Sequence, residues 1–265
     1  MPDQEEERRF RLPEAFRYPL AGFLAALRFL TIVPLTWRCE QDGRFFGAAL
    51  AWFPIVGVLI GLAAAILVSC LSPFFPPSVS AVAAVILLAA ASGCLHLDGL
   101  ADSSDGLLSA RTRERILEIM RDSHTGAMGV IAIVVVLLGK YAALSSLEGS
   151  MLIFTVIAMP IAGRCAIVLT MACLPYARDG EGLGRLFYAS STRLTALWAL
   201  VFLTVILIFG GLPMVFSTLV AVLATVLFFS LWCRSKIGGA TGDTLGAVCE
   251  LTEMMVAMAM TFGIA

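Results

Sequence analysis

The chain has 265 residues, of which 60% are hydrophobic and 14% charged, with a formal net charge of −1 and a mean hydropathy of +0.94. Soluble domains carry about 25% charged residues, so this composition excludes an ordinary soluble domain, and the absence of a basic footprint excludes a nucleic-acid partner. Repeated apolar runs of about 20 residues predict an all-α fold, a polytopic bundle of membrane helices.

Residues 1–19 form a polar tail that opens "MPDQEEERRFRLPEAFR" and lacks the short apolar core and small-residue cleavage site of a signal peptide. Residues 20–265 read as one integral membrane catalytic domain. Segment 20–35 is short and carries Arg28 in its middle, which fits a span, a re-entrant segment or an interfacial helix. Seven further runs, at 47–72, 79–97, 127–147, 152–174, 194–211, 213–233 and 244–264, predict spanning helices, or eight with 20–35. The connections at 73–78, 148–150 and 211–213 hold no Lys or Arg, whereas those at 36–46, 98–126, 174–193 and 234–243 hold two, four, three and two. The alternation has no exception, so the positive-inside rule makes the four basic loops cytoplasmic. Every chemically rich stretch then lies on that one side. Seven cysteines are scattered, mostly inside apolar runs, without a C-x-x-C, and read as buried reduced thiols.

In "HLDGLADSSDG" (96–106), Asp98, Asp102 and Asp105 stand at i, i+4 and i+7, one face of a helix about 10.5 Å long. Like charges this close repel, and a bound cation relieves them. Oxygen-only donors favour Mg²⁺ or Mn²⁺ over zinc. The alternative is a solvated helix start with Asp98 as N-cap, since Gly99 and Gly106 weaken a continuous helix. In "KIGGATGDTLGAVCELTE" (236–253), Gly238, Gly239 and Gly242 permit tight turns and close backbone approach to phosphate oxygens, with Thr241 beside them. Asp243 and Glu250 share a face seven residues apart, and Glu250 falls inside an apolar run, where a carboxylate is functional by default. Asp243, at the membrane edge, is the candidate base, with Glu250 orienting a ligand or pairing with Arg164 or another buried cation. The other reading is an N-cap at Asp243 and a snorkelling Glu250.

"MRDSHTGAMGV" (120–130) places Arg121, Asp122 and His124 on the same side, and Asp122 and Ser123 also fit as caps of the following helix. Arg178 and Arg185 flank the glycines of "PYARDGEGLGRLF" (175–187), a loop able to clamp a diphosphate or simply a flexible connection. Arg111 and Arg121 complete the cytoplasmic cations offered to substrate. Two histidines are too few for the usual zinc site, and no P-loop or G-x-G-x-x-G occurs. Metal-assisted phosphoryl transfer fits the set best.

"HLDGLADSSDGL", "RDSHTGAMGV" and "GGATGDTLGA", in this order, together with "RFLTIVPL", "AWFPIVGVLIG" and "YARDGEGLG", resemble the cobalamin synthase family, the adenosylcobinamide-GDP ribazoletransferases. The resemblance runs from about Leu27 to Glu253. It implies a bacterial inner-membrane enzyme, Mg²⁺-dependent, that joins GDP-activated adenosylcobinamide to α-ribazole or its 5′-phosphate with release of GMP. Other enzymes of that pathway, membrane lipid and a second copy of the chain are the partners it implies. His124 and Thr125 depart from the family's basic-then-apolar pair before the glycine, so no fixed role is drawn for position 124. "DSSDGLLSAR" approaches the D-x-x-D-G-x-x-A-R of CDP-alcohol phosphotransferases with the spacing off by one. A phospholipid head-group enzyme of that kind, an ion-coupled transporter and a non-catalytic scaffold are the competing readings.

Overall fold

The computed structural model describes residues 19–34, 47–178, 188 and 192–262, and among these the chain is helical with no strand. Helix α1 is Pro19–Leu30, α2 Phe53–Leu71, α3 Pro77–Ala91, α4 Leu95–Leu107 and α5 Arg113–Ile119. Then come α6 Ala127–Ser145, α7 Gly149–Cys173, α8 Thr192–Ile208, α9 Leu212–Ile237 and α10 Gly242–Met260. Proline in the first turn starts α2 and α3, where its missing N–H is no loss.

Helix α7 is the centre of the bundle. Its apolar stretch is 78% buried, against 44% for α2, 33% for α6 and 28% for α9. Gly57 and Gly61 of α2 let the two backbones touch: a Cβ at Gly57 would stand 2.7 Å from the Pro160 carbonyl oxygen, and one at Gly61 2.8 Å from Ile157 Cα. This is the small-xxx-small packing of membrane helices, where close approach replaces a hydrophobic driving force. Outward positions such as Ile66, Ile86, Leu138, Val205 and Leu227 are exposed and apolar, a surface suited to lipid.

Four helices are long and apolar enough to cross a membrane: Gly47–Leu71, Ala127–Ser145, Gly149–Cys173 and Met214–Ile237. The run expected to span at 79–97 does not continue. It ends at Ala91, and α4 leaves at 85° to α3, so the pair adds at most a fifth crossing by length and composition. The break has a local cause. Gly93 and Cys94 both adopt φ of 59°, and their N–H groups bond back to the carbonyls of Ala90 and Ala89, a Schellman closure. Helices α1 and α8 are apolar but shorter, and α10 carries Asp243, Glu250 and Glu253. The seven or eight spans expected from hydropathy are therefore not met on length and composition.

Candidate active site

Helix α4 is continuous through Gly99 and Gly106, with Cys94 rather than Asp98 at its N-cap position. Gly99 is a contact point: a Cβ there would lie 2.7 Å from the carbonyl oxygen of Asp243. The first turn of α10 thus lies directly against the aspartate helix. Gly246 continues the seam against the backbone of His96. Asp98 is exposed, and Asp102 and Asp105 are half-buried. Asp102 feels the negative charges of Asp98, Asp243 and Asp105, with Arg178 opposing them.

The start of α10 is set by Thr241, whose hydroxyl accepts from the Thr244 N–H while Thr244 Oγ1 accepts from the Thr241 N–H. Asp243 is thereby not the cap, and its side chain is left for other work. Arg178 Nη2 donates to Asp243 Oδ2 at 2.7 Å, and Thr241 Oγ1 donates to the same oxygen at 3.3 Å. Arg178 reaches this point because the chain after α7 is stitched to the α9–α10 connection. The Ala177 N–H donates to Ala240 O and the Ala240 N–H to Pro175 O, each at 2.8 Å. Gly238, at φ +75°, ends α9, and Gly239 packs on the Pro175 carbonyl, leaving no room for a side chain. These two glycines serve chain packing, whereas Gly242 is exposed with open space beside it. Arg113 locks the same junction, donating to Ile237 O at 2.9 Å and Ala177 O at 2.6 Å. Nothing in the sequence singled out Arg113, because both its acceptors are backbone atoms far along the chain.

Asp105 has a structural partner. Its Oδ2 accepts from the Gly126 N–H at 2.6 Å and its Oδ1 from the Gly129 N–H at 2.9 Å. It thus caps α6 from another helix, the role expected of Asp122 and Ser123. Asp122 instead accepts from the exposed His124 ring at 2.6 Å. That hydrogen bond holds the Asp122 carboxyl below its ordinary range and the imidazole above its own. Arg111 and Arg121 are exposed on either side of α5. Arg185 lies outside the described residues.

Glu250 is buried, and of the two kinds of partner expected for it the structure supplies another buried cation, Lys140, rather than Arg164. Lys140 Nζ donates to Glu250 Oε2 at 2.7 Å and to Glu253 Oε2 at 2.6 Å, and Arg164 Nη1 pairs with Glu253 Oε1. The two cations and two carboxylates balance inside the bundle, as buried charges must. Glu250 is thus held by Lys140 inside the bundle, whereas Asp243 is held by Arg178 and Thr241 at the start of α10. Lys140 and Glu253 were not singled out in the sequence.

Between α1, α2, α4, α7 and α10 lies a cleft of about 190 Å³. Phe53, Ile167 and Met171 form its buried side, and exposed Asp98 and Gly242, with Asp243, its open side. Among the described residues, no three His, Cys, Asp or Glu side chains converge to hold a metal ion by themselves. The donors offered are carboxylates in excess over cations, which suits a divalent ion whose shell is completed by a phosphorylated substrate.

The family described as cobalamin-5-phosphate synthase matches residues 22–261. An adenosylcobinamide-GDP ribazoletransferase of Acetivibrio thermocellus is 38% identical over 238 residues, 88% of this chain and 94% of that protein. Proteins of the same name from Clostridium acetobutylicum and Pseudomonas putida are 39% and 37% identical, covering 92% and 99% of their own lengths and 88% and 91% of this chain. No solved structure matches.

Proposed function

The chain belongs to the cobalamin-5-phosphate synthase family; it is a membrane transferase joining adenosylcobinamide-GDP to α-ribazole or its 5′-phosphate, and we propose that the face shared by α4 and α10 carries the reaction. The observation behind this reading is the Gly99 contact, which brings the aspartates of α4 against Asp243 and its partner Arg178.

In the transfer, an oxygen of the ribazole bonds to the corrinoid-side phosphorus of the diphosphate. The bond from that phosphorus to the bridging oxygen breaks, and GMP leaves with that oxygen. A hydroxyl acceptor gives up its proton to a base. Asp98 and Asp102, one turn apart on one face, would hold Mg²⁺. The chemistry an ion held there would supply is charge neutralisation of the diphosphate and of the leaving GMP. Asp105, with both oxygens on backbone N–H groups, fixes the loop that flanks them.

Arg178 binds the diphosphate. Substrate then competes with Asp243 for the guanidinium, and a carboxylate relieved of that partner becomes more basic. Asp243 takes the hydroxyl proton. Glu250 and Asp122 are engaged with Lys140 and His124 and are assigned no step. Taking α1, α8, α10 and the bent α3–α4 pair as crossings beside the four long helices, we read the chain as crossing a bacterial inner membrane eight times, with the reaction on the cytoplasmic face.

The test is direct. Purified protein supplied with Mg²⁺, adenosylcobinamide-GDP and α-ribazole should release GMP only when all three are present. No GMP from folded protein would overturn the reading.

A further inference from the structure

The cleft at the α4–α10 seam is small. Its volume of about 190 Å³ is below the roughly 300–1,000 Å³ that encloses a whole drug-sized ligand. A corrin macrocycle or a guanosine diphosphate does not fit. A single flat bicyclic ring does. Phe29 and Phe53 present a stacked pair in the wall, with ring centroids 6.2 Å apart and planes within 17°. Ile167, Met171 and Leu245 supply the rest of the apolar lining.

One polar group interrupts it. His96 lines the cleft, is 3% exposed, and its Nδ1 is buried with no hydrogen-bond partner. A buried polar atom left unmet is destabilising, so a group that enters the cleft with a complementary ring atom gains from it. Asp98 and Asp243 border the same cleft.

The geometry points to this cleft as the subsite for the heteroaromatic base of the acceptor nucleoside. The apolar bicyclic base of the ribazole fills it against the two phenylalanines. Its unglycosylated ring nitrogen, an acceptor, takes a hydrogen bond from the His96 imidazole. The ribose then projects toward Asp98 and Asp243, delivering a ribose hydroxyl that is free in both the nucleoside and its 5′-phosphate to the diphosphate, while the corrinoid and guanosine stay outside. The assignment rests on the transferase reading above and adds which substrate half enters the bundle.

Wild-type GMP release with both substrates is scored first, since its absence overturns the transferase reading and not the subsite. Given that turnover, Leu245→Phe and Ile167→Phe narrow the cleft from α10 and α7. Either should raise KM for α-ribazole about tenfold, the scale of a misfit in an apolar pocket, with KM for adenosylcobinamide-GDP unchanged. His96→Phe should raise KM for α-ribazole but not for an indole riboside, which lacks the ring nitrogen. In the unmodified protein, α-ribazole alone should slow amide exchange at residues 95–99 and 245–246. Unchanged KM for α-ribazole in the narrowed variants, a rise in KM for the corrinoid alone, or no protection of those amides would each overturn the subsite.

Discussion

Replacing Lys140 with methionine removes one of four balanced charges from the bundle interior. Lys140, Arg164, Glu250 and Glu253 are each at most 4% exposed, so water cannot compensate. Loss of the ammonium leaves Glu250 without its partner and Glu253 with Arg164 alone. Breaking a buried pair from one side costs about 3–5 kcal/mol, because the orphaned charge remains buried. At about 2–4 °C per kcal/mol for a chain of this size, the melting temperature should fall by on the order of 10 °C. Lys140→Met combined with Glu250→Gln removes the orphan and leaves Arg164 with Glu253, so the double variant should melt above the Lys140 single variant. Thermal unfolding in detergent, followed by circular dichroism, gives all three numbers. A double variant whose loss equals the sum of the two single losses would refute the coupling.

Two further outcomes follow from named contacts. Asp105→Ala removes the acceptor for the Gly126 and Gly129 N–H groups and should cost about 1–2 kcal/mol, the scale of a lost helix cap. Asp105→Asn should retain part of this, as read by the same melting experiment. In a background lacking native thiols, exposed Ser123→Cys should react with an impermeant maleimide only from the cytoplasmic side and exposed Ser72→Cys only from the other. Labelling of both from one side would contradict the orientation drawn from the basic loops.

Local signals were legible in the sequence, and long-range pairings were not. The i, i+4, i+7 spacing placed the three aspartates of α4 on one face, and the apolar runs located the helices. Gly99 read as a helix weakener because its use depends on a second helix that arrives more than 140 residues later. The 85° turn after Ala91 was hidden because no proline marks it and a non-glycine residue, Cys94, takes the left-handed conformation. Lys140 was not singled out within its apolar run, since its carboxylates lie 110 and 113 positions away. Asp105 illustrates a subtler case. Its position in the cluster was visible, but its two N–H donors sit in another segment, so its capping of α6 could not be read from the shared face.

The central claim, that Asp98 and Asp102 work with Asp243 on the diphosphate, is tested most directly by Asp102→Asn. Asp102 is half-buried within α4, and asparagine is isosteric with it, so the variant should fold and melt like the parent. Losing several kcal/mol of transition-state charge stabilisation, about 3 kcal/mol being about 100-fold in rate, should cut GMP release to that degree and raise the Mg²⁺ concentration needed for half-maximal activity. GMP release near the parent rate, with an unchanged Mg²⁺ titration, would contradict it.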